Sequence, residues 1–219
     1  MNQIENDPGP PSPHRIHLVG TGGQGLLLAA RLLTDFHLQR GRRVLCSQLH
    51  GMAQRGGAVQ TTVMIDCGSS PALRAGSADF VLGLEPVETA RALPYISSAT
   101  IVFMNTVPII PYVLAQQQVR GRKEAKYPDV RQLEECIRSV TPDLFLLDAT
   151  ELARRAGAVM ALNMVMLGCL FGTGLLSCAP EEFLETMVKN APPKLAEINR
   201  KAFSGGVEFG SKVVLVGNR

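Results

Sequence analysis

The sequence predicts an α/β protein: three layers, α/β/α, around a mostly parallel Rossmann-like sheet, followed by a C-terminal helical extension. Three observations carry that prediction. Short apolar or β-branched runs alternate with helix-period stretches from Arg15 to about residue 150, the pattern of strands joined by helical crossovers. The first run ends in a glycine-rich loop that opens a helix. From Thr150 onward only helical spacing remains. A chain of 219 residues with 46% hydrophobic content has the material for one core. The expected division is a disordered lead over residues 1–14 and one domain over residues 15–219. Its sheet part covers about 15–150 and its helical part about 151–209.

Taken in order, Arg15 to Gly20 is a short apolar run ending in glycine, hence a buried strand. Gly23 to Gln39 places Leu26, Leu27, Ala30, Leu33 and Leu38 at helical spacing, with Gly41 to end the helix. Arg43 to Gln48 reads as a second strand and His50 to Gly57 as a glycine-rich loop. Ala58 to Ile65 alternates and is β-branched, a third strand. Ala78 to Leu84 is a fourth, and Pro86 opens a helix to about Leu93. Thr100 to Asn105 is a fifth. Pro108 and Pro111 punctuate a connection with room for a short strand near Tyr112 to Ala115. Gln116 to Tyr127 is polar and basic, an exposed loop or hairpin. Pro128 starts a helix through Arg138, and Asp143 to Asp148 is a sixth strand. The helical remainder is broken by Gly157, by Gly172 to Gly174, and by Pro192 and Pro193. No repeat of 20–50 residues recurs.

Composition excludes several classes. A net charge of +3 lacks the dense basic stripe of a nucleic-acid protein. Five cysteines without a CxxC pair fit a reducing cytoplasm and give no disulfide framework, zinc ribbon or iron–sulfur ligand set within this chain. Each is expected to be a buried free thiol. The uncharged stretch Ala156 to Pro180 is long enough for a bilayer. Its Asn163, Ser177 and glycines instead favour a buried or interface helix, in which the Gly168–Gly172 pair permits close packing.

Chemistry concentrates in two loops. Gly20-Thr21-Gly22-Gly23-Gln24-Gly25 satisfies G-x-G-x-x-G between a strand and a helix. Its glycines allow a tight turn and a backbone approach to an anion, which the helix N-terminus favours. A nicotinamide dinucleotide site also needs an acid about 20 residues on, and none occurs between Asp35 and Asp66. Arg42 and Arg43 keep an NADP-binding Rossmann reductase open as an alternative. A phosphate-bearing ligand, or glycines that merely pack helix on strand, fits as well. In the second loop Arg55 sits among glycines and is the only Asp, Glu, Lys or Arg between Arg43 and Asp66. It can reach a phosphate or carboxylate bidentately. With Arg40, Arg42 and Arg43 it makes this half of the chain locally basic. His50 is a candidate acid–base group or a structural histidine. Asp148 and Glu151 read as helix caps, and Glu85-Pro86 and Glu88-x-x-Arg91 as helix-start chemistry plus an i,i+3 pair. The sequence has no P-loop, no GxSxG, no GDG and no catalytic triad arrangement, so no catalytic residue is assigned.

Six runs together resemble the gamma module of the pyruvate/ketoisovalerate ferredoxin oxidoreductase family. They are LVGTGGQG at Leu18 to Gly25, HGMAQRGG at His50 to Gly57, LEPVETARALPY at Leu84 to Tyr95, YPDV at Tyr127 to Val130, NMVMLGCLFG at Asn163 to Gly172 and INRKAF at Ile198 to Phe203. Within that family the size and self-standing form are most similar to the indolepyruvate branch. The resemblance spans Arg15 to Phe209 and makes residues 15–219 a gamma-type domain. It departs at Ala53, where Ser is common, and at Gln48, where Glu is common nearby. The resemblance implies a non-redox small subunit of a ferredoxin-dependent 2-oxoacid oxidoreductase that oxidatively decarboxylates an arylpyruvate to an acyl-coenzyme A. Thiamine diphosphate, magnesium and iron–sulfur clusters are then expected on a larger alpha subunit, with ferredoxin reached through the complex. Coenzyme A is the co-substrate near Gly20, Gly22, Gly23, Gln24, Gly25 and Arg55. A gamma subunit specific for pyruvate, ketoisovalerate or 2-oxoglutarate, and a ligand-free assembly scaffold, stay open. No membrane or nucleic-acid partner is expected.

Overall fold

The computed structural model describes residues 12–51, 56–110, 126–189, 191–213 and 215. The strands are β1 His14–Thr21, β2 Val44–His50, β3 Ala58–Ile65, β4 Phe80–Gly83, β5 Ile101–Asn105 and β6 Leu144–Leu147. They form one sheet in the order β2-β3-β1-β4-β5-β6. β1, β4, β5 and β6 run parallel, while β3 is antiparallel to both β1 and β2. Only β3 is reversed, so the sheet is mixed but mostly parallel. The helices are α1 Leu26–Gln39, α2 Pro86–Arg91, α3 Val130–Arg138, α4 Ala149–Ala156, α5 Leu162–Gly172, α6 Pro180–Lys189 and α7 Pro193–Gly210.

Strand side chains alternate between two helical layers, as the period of two requires. Ile16, Leu18, Phe80, Leu82, Ile101 and Phe103 join the larger core formed with α1 and α4–α7. Val19, Val81, Val102 and Met104 face the smaller one, which includes Ile137 of α3. The three expected layers are present, unequal in weight.

α5 explains the uncharged stretch. Every residue from Leu162 to Phe171 is buried, so its sequence needs no polar face. Among the described residues no helix is long and apolar enough to cross a membrane. Gly168 and Gly172 lie against Gly206 and Gly210 of α7. A Cβ at Gly168 would overlap the Phe203 carbonyl oxygen, and one at Gly206 would overlap that of Val165. The expected close packing is thus an internal crossing of α5 and α7. The sequence reading saw only the α5 half of this contact. Beside it, the Phe171 and Phe183 rings stack with centroids 4.3 Å apart.

Other expectations need correction. Cys67 and Cys169 are buried, but Cys46 and Cys136 are exposed. Cys46 lies on the edge strand β2 and Cys136 on a solvent-facing side of α3. The helix after Pro86 stops at Arg91, and a separate 3-10 turn covers Leu93–Tyr95. The lead up to residue 11, the short strand near Tyr112 to Ala115 and most of the basic loop after it lie outside the described residues.

Candidate functional site

Parallel strands bring their carboxyl ends to one edge of a sheet. Here β1, β4, β5 and β6 end at the same edge, and the antiparallel β3 begins there. In open α/β sheets ligands bind outside this carboxyl edge, where successive connections leave a strand in opposite directions. β1 is such a strand: the chain goes next to β2 on one side and later to β4 on the other. The glycine loop leaves β1 at this point.

Close approach shapes the loop. A Cβ at Gly20 would lie 2.5 Å from Gln24 Oε1 and 3.1 Å from the Leu84 Cβ. Gly25 has φ +76 and touches Asn163, whose side-chain amide donates to the Gly25 carbonyl at 3.0 Å. The Gln24 amide is used internally. Its Oε1 accepts from the Thr21 N–H at 2.7 Å and its Nε2 donates to the Leu84 carbonyl at 2.8 Å, so it braces β1 against β4. Gly22 N–H donates to the Gly57 carbonyl at 2.9 Å, tying the two glycine loops together. Gly22 and Gly23 stay exposed. α1 begins with no side-chain cap and no acid in its first turn, which leaves its positive end open toward an anion.

A polar network stiffens the rest of the edge. The Leu84 carbonyl also accepts from Asn105 Nδ2 at 3.1 Å, and Asn105 Oδ1 accepts from the Ala149 N–H at 3.1 Å. Loop, β4, β5 and α4 are thereby joined through two carboxamides. Beside them Glu85 is almost fully buried. Its carboxylate accepts from the Glu88 N–H at 3.0 Å, from the Ile109 N–H at 3.3 Å and from the Tyr127 hydroxyl. Burial, then this bond to Glu85, pushes the Tyr127 phenol well above its ordinary range. Burial also raises Glu88, against the pull of Arg91.

Two contiguous clefts open on this edge, each of about 340 Å³. One runs from Gly22 and Gly23 to Val107, Val159, Met160 and Leu162. The other runs from Gly56 and Gly57 to Glu88, Arg91 and Tyr127. They share Thr21, Gly56 and Ile109. Met160 and Ile109 are exposed, so an apolar rim surrounds a backbone-polar floor. That combination suits a long ligand or a protein surface with an anionic group.

Of the residues singled out from sequence, Gly20, Gly22, Gly23, Gln24 and Gly25 gather here, and Arg55 lies outside the described residues. Arg40, Arg42 and Arg43 do not gather here. They precede β2, whose first residue is in register with Ile65, as is His14 of β1, so they sit at the opposite, amino edge. Arg42 is bonded to Asp66 at 2.6 Å, and Arg40 is paired with Glu182. At that end Arg40 and Arg42 are paired with acids and the Arg43 side chain donates to the Gly68 carbonyl. β3 also stands between β1 and β2, so the end of β2 cannot serve the ribose of a dinucleotide bound at β1. Asp148 caps α4 through the Glu151 N–H, as expected. His50 is exposed at the end of β2.

Glu85, Tyr127, Asn105 and Asn163 were not singled out from sequence as site residues. A signal was present: the runs LEPVETARALPY and YPDV are joined here by the Tyr127–Glu85 hydrogen bond.

The family model described as pyruvate ferredoxin/flavodoxin oxidoreductase matches residues 15–209. The indolepyruvate oxidoreductase subunit IorB of Archaeoglobus fulgidus is 34% identical over 191 residues, covering 87% of this chain and 92% of that one. The gamma subunit of a keto/oxoacid ferredoxin oxidoreductase from Geobacter sulfurreducens superposes with a TM-score of 0.63 at 22% identity, covering 91% of this chain and 99% of that one. A 2-oxoglutarate:ferredoxin oxidoreductase from Magnetococcus marinus, solved with 2-oxoglutarate, coenzyme A and succinyl-CoA bound, superposes with a TM-score of 0.64 at 16% identity. The match covers 92% of this chain and 32% of that longer chain.

Proposed function

Because the chain belongs to the pyruvate ferredoxin/flavodoxin oxidoreductase family, we propose that it is the small, non-redox subunit of a 2-oxoacid:ferredoxin oxidoreductase of the indolepyruvate type. The observation that carries this reading is the 34% identity to an indolepyruvate oxidoreductase subunit over nearly the full length of both chains. The reaction assigned to the complex converts an arylpyruvate, coenzyme A and oxidised ferredoxin to the arylacetyl-coenzyme A, carbon dioxide, a proton and reduced ferredoxin. Thiamine diphosphate, magnesium and iron–sulfur clusters belong to a larger alpha subunit, and the complex works in the cytoplasm. This chain supplies a shaped surface.

In this reading the phosphates of coenzyme A lie over Gly22 and Gly23 at the open end of α1, with Arg55 near Gly56. Gly20, Gln24 and Gly25 hold the loop in shape. The apolar rim at Val159 and Met160 seats the partner subunit or the acyl-carrying arm, and excludes water from it.

The test is co-expression. Purified alone, the chain shows no arylpyruvate oxidation and no cluster absorbance. With the large subunit it restores ferredoxin reduction that depends on both arylpyruvate and coenzyme A. Activity from the isolated chain, or a complex indifferent to coenzyme A, overturns the reading. A preference of that complex for pyruvate, ketoisovalerate or 2-oxoglutarate reassigns the substrate and leaves the subunit role intact. Nicotinamide nucleotide titration of the chain, expected to show no binding, addresses the reductase alternative.

A further inference from the structure

Helix ion pairs in this protein divide into two kinds. Arg138–Glu134, Arg154–Glu151, Lys201–Glu197 and Lys212–Glu208 each place a carboxylate at least a quarter exposed beside a solvated cation. Such pairs contribute little and constrain little. Arg91–Glu88 is different: the pair is 2.7 Å apart, with the Glu88 side chain 6% exposed and that of Arg91 59% exposed. Burying a carboxylate costs several kcal/mol unless it is well paired. Surface stability gives no reason to sink this one, and among the described residues Glu88 Oε2 has no hydrogen-bond partner. What the arrangement achieves is orientation. A buried anchor fixes one guanidinium nitrogen and leaves the other donors of the fork facing out. Arg91 lines the cleft shared with Thr21, Gly56, Gly57 and Tyr127, contiguous with the first glycine loop.

We propose that Arg91, held by Glu88, recognises a phosphate group of the coenzyme A co-substrate at this cleft, with Glu88 as its positioning residue. This rests on the coenzyme A reading above and adds a second anchor to it, on α2 rather than on the β1 loop. A ligand spanning both clefts would keep its phosphate-rich end at Arg91 and its apolar arm at Val159 and Met160. That order fixes the direction in which the thiol is presented to the partner subunit. The buried Glu85 lies nearby, but its oxygens are already engaged by two N–H groups and the Tyr127 hydroxyl.

The test uses the co-expressed complex and steady-state kinetics with coenzyme A as the varied substrate. Arg91→Gln is expected to raise the KM for coenzyme A about tenfold to a hundredfold, as loss of a charge-assisted contact does, with the change falling on KM rather than kcat. Arg91→Lys recovers part of that loss. Glu88→Gln, which leaves the cation unanchored, raises KM severalfold. Gly23→Val, which deforms the first loop, tests the parent reading separately. If Gly23→Val raises KM and Arg91→Gln does not, the Arg91 proposal is wrong and the parent stands. If neither moves KM, both fall. Dissociation of the Arg91→Gln complex on size-exclusion chromatography would assign Arg91 to a carboxylate of the partner subunit and overturn the proposal. A circular dichroism melt of each variant chain confirms that it folds.

Discussion

The two edges of the sheet use the same residue types to opposite ends. At the amino edge the cation is sunk and the acid stands nearer to water: Arg42 is 8% exposed and Asp66 26%. Asp66 also accepts the Arg43 N–H at 2.9 Å, while Arg42 reaches the Ser12 carbonyl. The Arg15 guanidinium lies 3.6 Å from the Asp79 carboxylate, and Arg40 is paired with Glu182. Charge there closes on itself and ties strand ends together. At the carboxyl edge the acid is sunk and the cation stands out, as with Glu88 and Arg91. Backbone donors at the start of α1 carry no cap. The two pairs thus differ in which charge is buried and which is left toward water.

The comparison is broken most severely by altering the carboxyl edge alone. Gly23 has φ +100 and open space around its Cβ position. Gly23→Val therefore distorts the backbone without creating a clash, since a β-branched residue is strained at positive φ. Coenzyme A-dependent ferredoxin reduction by the complex should fall about a hundredfold, while the urea midpoint of the isolated chain shifts modestly. A large loss of stability with unchanged kinetics would make this edge structural too.

Acid sharpens the contrast from the other side. His37, at the amino edge, is fully buried, and among the described residues neither ring nitrogen has a hydrogen-bond partner. Burial, then Arg42, His14 and Arg40, pushes it down to about 4, and burial does the same to His17 within β1. A histidine lowered on folding binds fewer protons in the native state. The unfolded chain therefore gains on it as pH falls from the ordinary 6.5 towards 4. Each such histidine should remove up to about 3 kcal/mol of stability by pH 4. Glu88, raised by burial, works in the opposite sense. Urea titrations at pH 7.5, 5.5 and 4.5 should show this slope, and His37→Phe should reduce it. An equal slope in the variant would place the acid lability elsewhere.

The smallest effect is expected from Asp66→Asn. Burial pushes Asp66 up, but Arg42 and the Arg43 N–H more than offset that and hold it below the usual carboxylate range. Its stabilising contribution is present above the ordinary carboxylate pKa and lost as pH falls through the lowered one. Asn tolerates the φ of +52 found at this position. The substitution should therefore cost only about 1–2 kcal/mol by chemical denaturation at pH 7. The KM for coenzyme A should not move. A rise would mean that the two edges are coupled through the sheet.

Local signals in the sequence were enough for the strand order along the chain, the first glycine loop and the caps at Asp148 and Glu85. Each of those is decided within a few residues. Strand neighbours are not. Nothing near Ala58 to Ile65 says that it inserts between β1 and β2, because a reversed strand and a parallel one share the same period. Arg40, Arg42 and Arg43 lie at the amino edge for a different reason, since they precede a strand that runs parallel to β1. Glu85 and Glu88 were legible as helix-start residues, but their burial depends on Tyr127 and on the cleft wall, far away in sequence. Asn105 and Asn163 had no signal beyond their occurrence, since a buried carboxamide is defined by what it joins.

The place of β3 has a consequence for what this architecture can become. An acid introduced at the end of β2, the single change by which a dinucleotide pocket would be sought, arrives two strands from the loop rather than one, about 5 Å farther from the ribose than in a dinucleotide-binding sheet. Redesign towards hydride transfer would have to rethread the sheet itself. Point substitution leaves that strand order unchanged.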